Sequence, residues 1–390
     1  MKVLFLCGGD HKYGTPRMAI SLIEQVIKTR PDITFIVLTS DKGSVNDQCD
    51  ELGIENHVIP YKYCVYKKEP NRIADALKRI LKGILICRNL SHSIRLIERY
   101  VDIDSIDLIH TNINRDLLGE CMARKYHIPH IVHLRELYKA HFGLSLLFPD
   151  QVGFMNRYTN RFVAVSDTVM EDWRSFGFDG RKMATIYDGV DADDVKCRIT
   201  KTVSTPIKVV MCGGIYVAKG QRQLVEAIHI LKDKGFNVQA DFFGDEEGTS
   251  GYYGTVMDDI KQYNLGDCVH MRGYQKDVRK RICDYDIGVV CSKAEGFGLV
   301  TVEYMLAGLC PVVSDTGANE ELVQDGESGL VYRWGDSEDL AEKIAGLLQD
   351  HDKLLRLSKN AHTRALERFS LKASVERLTD LYDEVCQEPM

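Results

Sequence analysis

Residues 286–315, DIGVVCSKAEGFGLVTVEYMLAGLCPVVSD, contain the pattern that decides the fold. Two short apolar runs, DIGVVCS and CPVVSD, lie on either side of LVTVEYMLAG, which is typical of a helix. Gly308 ends this segment and Pro311 follows soon after, a common order at a helix C-terminus. A strand, a loop, a helix and a second strand in so short a span predict parallel strands joined by a crossover helix.

The loop and helix of this unit carry two carboxylates, Glu295 and Glu303, in a neighbourhood that becomes strongly apolar. A buried charge needs a partner. Residues 296–299 are expected at the start of the helix, where free backbone N–H groups and the helix dipole favour a phosphate. Glu303 could accept hydrogen bonds from the vicinal hydroxyls of a sugar, or it could be an ordinary exposed helix residue.

The same alternation of short apolar runs and helical segments continues along the chain. The runs predicted as strands are KVLFLC, ITFIVLTS, SIDLIHTN, HIPHIVHL and NRFVAVSD in the first half, and PIKVVMCGG, VQADFFGD, CVHMRGY and GLVYRW in the second. Such a pattern predicts parallel sheets with helices on both faces. We therefore expect an α/β protein of two Rossmann-like, doubly wound domains facing a central cleft, the usual ligand site in such folds.

The length of 390 residues also favours two domains. The strand pattern restarts after CRITKTVSTP (residues 197–206), which is polar and ends in a proline. We predict an N-terminal domain of residues 1–200 and a C-terminal domain of residues 201–368. Residues 369–390 have apolar residues at helical spacing, and we expect a terminal helix that packs back toward the N-terminal domain.

Composition limits the kind of protein. Hydrophobic residues make up 44% and charged residues 27%, as in soluble enzymes, and a net charge of −7 argues against nucleic-acid binding. The start, MKVLFLCGGD, is too short for a signal-peptide core, and no apolar run is long enough to span a bilayer. Twelve cysteines without a C-x-x-C pair indicate reduced thiols, so a cytoplasmic location is expected.

Residues 61–100 depart from this acidic balance, with ten Lys and Arg against three acidic residues. This stretch is interpreted either as a solvated helical face or as a docking surface for an anionic membrane, at the inner face of the cell membrane. The nearby SLLFP, residues 145–149, is either an apolar lip for a lipid acceptor or part of the core.

Metal and dinucleotide sites are not expected. The histidines of HIPHIVH, His127, His130 and His133, are spaced by three, which on a strand alternates faces, and Pro129 excludes a helix. His133 is therefore either a structural residue or a ligand contact. The glycines of CGGDHKYG lack the G-x-G-x-x-G spacing of a dinucleotide fingerprint.

Several motifs together resemble one family. The Glu-x7-Glu arrangement around E-G-F-G-L is similar to the signature of retaining GT-B glycosyltransferases of glycosyltransferase family 4, the glycosyl transferases group 1. VVMCGGIYVAKGQRQLVEA resembles the family's G-x-x-x-x-x-K-G segment, and VHMRGYQKDV resembles its base-binding strand and loop. IYDGVD, residues 186–191, resembles its N-G-V-D with Asp188 in place of Asn. The order and spacing of these motifs match along most of the chain.

The resemblance implies a role for each matching residue. Lys219 would neutralise the leaving diphosphate, Glu295 would accept from the transferred sugar, and Glu303 would bind the nucleotide ribose. His133 would hydrogen-bond the donor sugar near the reaction centre, so the implied catalytic residues are His133, Glu295 and Lys219. The full implied donor-binding set is Gly14, Thr15, Gly213, Lys219, Gly273, Tyr274, Glu295, Gly296, Phe297, Gly298, Leu299 and Glu303.

The implied reaction is a retaining, metal-independent transfer of a sugar from a nucleotide sugar, expected to be a UDP-sugar. The acceptor would be a saccharide or a lipid-linked saccharide, in surface-polysaccharide or glycoconjugate biosynthesis. No D-x-D element stands in a suitable place for a metal, and no cofactor is expected. Two alternatives stay open. A GT-B-fold nucleotide-sugar epimerase would share the architecture, and a non-catalytic partner of a glycosyltransferase would fit Gly214, which stands where the family often has an arginine.

Overall fold

The computed structural model describes residues 1–8, 14–112, 115–138, 145–197, 203, 205–246 and 251–388. For residues 14–17 the description covers the backbone alone. The chain forms two compact units. The first unit comprises Met1–Tyr187 and Lys372–Met390, and the second comprises Asp188–Leu371. The domain limits predicted from the sequence were 200/201 and 368/369.

The contacts of the segment Asp188–Val190 explain why the first unit ends at Tyr187 and not at the predicted residue 200. Val190 N–H donates to Phe369 O at 3.0 Å, and Leu371 N–H donates back to Val190 O at 3.2 Å. This short parallel bridge ties the segment to the end of the second unit, well before the polar stretch that the sequence indicated as a linker.

The first unit contains a seven-stranded parallel sheet in the order β3-β2-β1-β5-β6-β8-β9. Its strands are β1 (Lys2–Cys7), β2 (Thr34–Thr39), β3 (Glu55–Val58), β5 (Leu108–Thr111), β6 (His130–Leu134), β8 (Arg161–Ala164) and β9 (Met183–Thr185), and β4 (Val65–Tyr66) forms an antiparallel pair with β7 (Ser145–Leu146). Its helices are α1 (Gly14–Thr29), α2 (Ser44–Glu51), α3 (Arg72–Tyr100), α4 (Leu118–Tyr126), α5 (Gln151–Tyr158) and α6 (Asp167–Arg174). Successive buried residues along β1 and β5 reflect helices on both faces of the sheet.

The second unit contains a six-stranded parallel sheet in the order β12-β11-β10-β13-β14-β15. Its strands are β10 (Ile207–Cys212), β11 (Val238–Phe243), β12 (Val269–Gly273), β13 (Ile287–Val290), β14 (Cys310–Ser314) and β15 (Leu330–Tyr332). Its helices are α7 (Gln221–Asp233), α8 (Tyr252–Gln262), α9 (Val278–Arg281), α10 (Leu299–Ala307), α11 (Asn319–Leu322), α12 (Ser337–Gln349) and α13 (His351–Arg368). β13, α10 and β14 are the strand, helix and strand predicted from residues 286–315.

The last helix, α14 (Leu371–Gln387), belongs to the first unit from Lys372 onward. It buries one face, on which Tyr382 and Val385 are fully shielded from solvent. Asp383 accepts a hydrogen bond from Arg30 at 2.9 Å. The helix thus completes the core of a unit whose other residues come from the opposite end of the chain.

Two further features concern the SLLFP segment of the first unit and the described helices of both units. Leu147, in the SLLFP segment, is buried, and Ser145–Leu146 pairs with β4, so this stretch is part of the packed structure. No described helix combines the length and apolar character that a bilayer span requires.

Candidate functional site

The strand order of the second unit reverses beside its central strand. The chain moves outward from β10 to β12 on one side and then resumes at β13 on the other. In parallel α/β sheets, ligands bind beyond the carboxyl ends of the strands at such a switch point. The loops that follow β10 and β13 therefore form the candidate site, and together with α10 they carry most of the residues that the sequence indicated.

Lys219 and Glu295 come from these two loops and meet as an ion pair. Lys219 ends a short 3₁₀ turn, Val217–Lys219, after β10, and its Nζ lies 2.5 Å from Glu295 Oε1. Both side chains are largely shielded, with exposed fractions of 25% and 16%. Gly220 has φ +73° and passes so close to the end of β13 that a Cβ would lie 2.4 Å from Cys291 O. Glycine is thus needed there to bring the lysine against the glutamate.

Backbone packing holds the loop that contains Glu295. Gly317 has φ +61°, and a Cβ on it would lie 2.3 Å from Glu295 O. Ala318 N–H donates to the same carbonyl at 3.0 Å. Phe297 is buried and packs edge-on against Phe369, so its side chain anchors the loop. Its implied donor contact can come only from its backbone.

The start of α10 presents N–H groups next to this loop. Gly298 has φ +101° and caps the helix, which glycine allows without strain. Thr301 N–H is the first to donate within the helix, to Gly298 O at 2.9 Å. The N–H groups of Gly298, Leu299 and Val300 precede this bond, so they can donate to an anion at the positive end of the helix dipole.

Glu303 is buried, with 6% of its surface exposed, so its interpretation as an ordinary exposed residue is wrong. Its Oε1 accepts a hydrogen bond from Arg279 Nε at 2.8 Å, and Arg279 also pairs with Asp194 at 3.1 Å. Arg279 was not among the residues predicted from the sequence. Its segment, DVRKRIC, holds three neighbouring basic residues, and nothing local distinguishes the one that faces α10.

The remaining implied donor residues of the second unit lie at neighbouring strand ends. Gly273 ends β12 with φ +66°, and Tyr274 N–H donates to Asp245 Oδ1 at 2.9 Å. A contact with a base at Tyr274 would thus come from its carbonyl or its exposed ring. Gly213 follows β10 with φ +143°, and Gly214 O accepts from Gln221 Nε2 at 2.9 Å.

Gly14 and Thr15 lie in the first unit, in the first turn of α1. Their side chains are outside the described part of the structure, so their implied contact with a diphosphate stays a prediction.

His133, on β6, takes part in a buried chain of polar groups. Its Nδ1 lies 3.3 Å from His110 Nε2, and His110 Nδ1 lies 2.5 Å from the hydroxyl of Tyr382. Burial, with a smaller contribution from Arg135, lowers the pKa of both histidines well below the usual value, so both are neutral. His133 Nε2 is buried and has no hydrogen-bond partner among the described residues. His110 and Tyr382 were missed by the sequence analysis.

The three histidines of HIPHIVH do not share a site. His130 Nε2 lies 2.8 Å from Thr111 Oγ1, and burial lowers the pKa of His130 to about 3. His127 ends α4 in the left-handed conformation. Within the described ranges, no three His, Cys, Asp or Glu side chains are arranged to hold a metal ion.

Two family models match the chain, one in each half. The family described as Glycosyltransferase Family 4 matches residues 14–194, and Glycosyl transferases group 1 matches residues 195–364. The chain belongs to the family 4 glycosyltransferases. The prediction of a glycosyltransferase is thus confirmed at the level of the family.

Several curated relatives are bacterial glycosyltransferases. The chain is 31% identical to the putative glycosyltransferase EpsD of Bacillus subtilis over 42% of each chain. It is 28% identical to an N,N'-diacetylbacillosaminyl-diphospho-undecaprenol α-1,3-N-acetylgalactosaminyltransferase of Campylobacter jejuni, over 65% of this chain and 64% of the relative. These matches span less than two thirds of either relative. A UDP-Gal:α-D-GlcNAc-diphosphoundecaprenol α-1,3-galactosyltransferase of Escherichia coli is 22% identical over 81% of this chain and 87% of the relative.

Solved structures confirm the fold. Anabaena Alr3699/HepE in complex with UDP and glucose superposes with a TM-score of 0.77 at 22% identity, over 98% of this chain and 99% of that one. A glycosyltransferase from Rickettsia africae superposes with a TM-score of 0.78 at 17% identity, over 100% and 99%. The predicted GT-B fold of two Rossmann-like domains is confirmed.

Proposed function

We propose that this family 4 protein is a retaining glycosyltransferase that moves a sugar from a UDP-sugar to a saccharide or lipid-linked saccharide, in polysaccharide or glycoconjugate biosynthesis. One observation carries the proposal. The Lys219–Glu295 ion pair lies at the switch point of the second unit's sheet, beside the N–H groups that begin α10. A cation, a shielded carboxylate and an anion-binding helix end are the groups that a sugar diphosphate requires.

Names of similar proteins support the donor and the acceptor. Alr3699/HepE was crystallised with UDP and with UDP-glucose, and the Escherichia coli relative is named for UDP-Gal. Two relatives are named for diphosphoundecaprenol-linked sugars. We therefore propose a UDP-sugar donor, an acceptor carried on a lipid diphosphate and a cytoplasmic protein that works at the inner face of the cell membrane.

In the proposed mechanism, the bond between the sugar C1 and the diphosphate oxygen breaks as a bond from C1 to the acceptor oxygen forms on the same face. The acceptor's proton passes to the leaving phosphate. Lys219 and the N–H groups of residues 298–300 stabilise the negative charge that develops there, and such preorganised electrostatics is usually the largest catalytic contribution. Because these groups supply the positive charge, we propose that the transfer is metal-independent.

The other side chains position the donor. Glu295 accepts hydrogen bonds from the transferred sugar and holds Lys219 in place. Glu303, which accepts a hydrogen bond from Arg279 Nε, also accepts from the ribose hydroxyls. His133 Nε2 hydrogen-bonds a sugar hydroxyl.

The alternatives of an epimerase and of a non-catalytic partner have no described feature in their favour. The non-catalytic partner rested on the missing arginine at Gly214, yet Lys219 and Glu295 form an ion pair. The epimerase rested on the shared architecture alone. Release of free UDP only when an acceptor is present would separate transfer from epimerisation.

A donor panel and two variants test the proposal. UDP-, GDP- and ADP-sugars are compared by their effect on the unfolding temperature, because a ligand that binds the folded state stabilises it. UDP-sugars are expected to raise it most. Lys219→Ala and Glu295→Ala are expected to lose at least about a hundredfold in transfer rate. Lys234→Ala, an exposed lysine of the same unit, is the matched control. No response to any nucleotide sugar, or full transfer in both variants, would exclude the proposed site.

A further inference from the structure

Helix α3 exposes large apolar side chains along its first half. Between 49% and 75% of the surface of each of six residues is exposed; they are Ile73, Leu77, Ile80, Leu81, Ile84 and Leu85. At 100° per residue, their spacing places them within about 140° of the helix circumference. We refer to these six residues as the α3 apolar face. Scattered apolar residues are normal on a surface, but a set that continues over more than three turns marks an interaction site.

The side of α3 that faces the protein is polar over the same turns. Arg79 Nη2 donates to Leu147 O at 3.1 Å, and Lys82 Nζ donates to Val65 O at 2.7 Å. The one buried residue before Ile86 is Gly83, where an added Cβ would lie 3.5 Å from the ring of Phe148. A surface helix ordinarily turns its apolar side inward. Here the amphipathic pattern is inverted, so the protein itself does not cover the α3 apolar face.

Cations lie before and along α3. Exposed basic residues are Lys62 before β4, Lys67 and Lys68 in the loop before α3, and Arg72, Arg88, Arg95 and Arg99 on α3. The nearby acids are engaged within the protein: Glu69 pairs with Lys78, and Asp75 accepts from Tyr66 at 3.0 Å and from Glu69 N–H at 2.9 Å. The field around the face is therefore positive.

Apolar side chains bordered by cations are the pattern of a helix that lies in an anionic membrane interface. A second copy of the chain is a poorer occupant, because a twofold contact would bring the same cations together. We propose that the α3 apolar face inserts into an anionic lipid surface, while the surrounding lysines and arginines bind the headgroups. The inference rests on the proposed function in one respect, since a lipid-linked acceptor would place the protein at a membrane.

Flotation with vesicles tests this surface directly. The full-length protein is mixed with vesicles of phosphatidylcholine alone or with about one third phosphatidylglycerol, without donor or acceptor, so that failure of the proposed reaction cannot affect the result. Wild-type protein is expected to float with the anionic vesicles. The variant Leu77→Ser/Leu81→Ser/Ile84→Ser is expected to lose about tenfold or more in partitioning, because three inserted side chains are removed.

Ile27→Ser/Leu52→Ser/Leu366→Ser is the matched control, since these side chains are also exposed and apolar but lie elsewhere. This control variant should float with the anionic vesicles to the same extent as the wild-type protein. A second variant, Lys67→Glu/Lys68→Glu, leaves the apolar face intact and should lose binding at low salt, which keeps the test valid if the serine variant does not fold.

Three results would overturn the inference. They are no flotation of the wild type at low salt, equal flotation of the serine variant, and a wild-type dimer that the serine substitutions convert to monomer without any lipid binding. Transfer to a soluble acceptor separates the two proposals: it should survive in the serine variant, and its absence from wild type would count against the proposed function alone.

Discussion

At the scale of single residues, burial decides what His133 can do. Tyr382 is fully buried and, among the described residues, hydrogen-bonds only to His110 Nδ1. A buried hydroxyl that did not donate there would leave its proton unsatisfied. The proton of neutral His110 then lies on Nε2, and it is donated to His133 Nδ1. His133 must carry its own proton on Nε2, so this atom is a donor to any ligand oxygen.

The variant Tyr382→Phe tests this arrangement. Without the phenolic proton, neither histidine is held in one tautomer, and we expect ¹⁵N NMR to detect both tautomers of His133. The turnover number should fall about tenfold with little change in the KM for the donor, as expected for one misdirected hydrogen bond.

Tyr61→Phe is the control for this variant. It removes another buried hydroxyl of the same unit, which donates to Cys7 O at 2.8 Å, and it touches neither histidine. A single Nε2–H tautomer of His133 that persists in Tyr382→Phe would contradict the argument.

At the scale of elements, the contact between α9 and α10 holds a carboxylate ready for a ligand. The sequence indicated a nucleotide ribose as the partner of Glu303, yet the protein itself supplies a partner in Arg279. The ion pair does not exclude a ribose, because a carboxylate has two oxygens and several acceptor positions. Arg279 gives the buried carboxylate a cationic partner within the protein.

Arg279→Met and Glu303→Gln separate the contribution of the ion pair to stability from the contribution of the carboxylate to nucleotide binding. Arg279→Met removes the cationic partner of a buried carboxylate and should lower the free energy of unfolding by about 2–3 kcal/mol. Glu303→Gln should cost less stability but weaken UDP binding about tenfold in calorimetry, because an acceptor is lost. The double variant should be more stable than Arg279→Met alone. Unchanged UDP affinity in Glu303→Gln would remove the ribose from the proposed mechanism.

At the scale of the whole molecule, the last helix belongs to the unit that contains the first strand. Helix α14 supplies Tyr382 and Val385 to that unit's core, and Asp383 binds Arg30. The first unit therefore cannot complete its core from residues 1–187 alone.

A chain that stops after Leu371 tests this dependence. Loss of the buried side chains of α14 should unfold the first unit, so limited proteolysis should degrade residues 1–187 and leave a resistant fragment near residues 188–371. A chain that stops after Gln387 is the control, because it loses only residues 388–390, of which Glu388 pairs with Arg161. Equal protease resistance of the two units in the shorter chain would show that α14 is dispensable.

The sequence by itself determined the features that depend on local pattern. The apolar runs, their spacing and the glycines around them predicted β13, α10 and β14, the parallel sheets and the position of Glu295 at a strand end. Local pattern suffices for these because the period of apolar residues and the conformational freedom of glycine act within a few neighbouring residues.

Only the tertiary structure decided which distant residues meet and which side of a helix faces outward. Arg279 pairs with Glu303, and Tyr382 reaches His110, because strand order and core packing bring together segments that no local signal connects. The sequence of residues 61–100 likewise left open whether α3 carries a solvated face or a membrane-docking surface. Contacts with Val65 and Leu147 hold the polar side against the protein, and that choice leaves the α3 apolar face exposed. The physical reason is that burial is a property of the assembled neighbours, which a single segment does not contain.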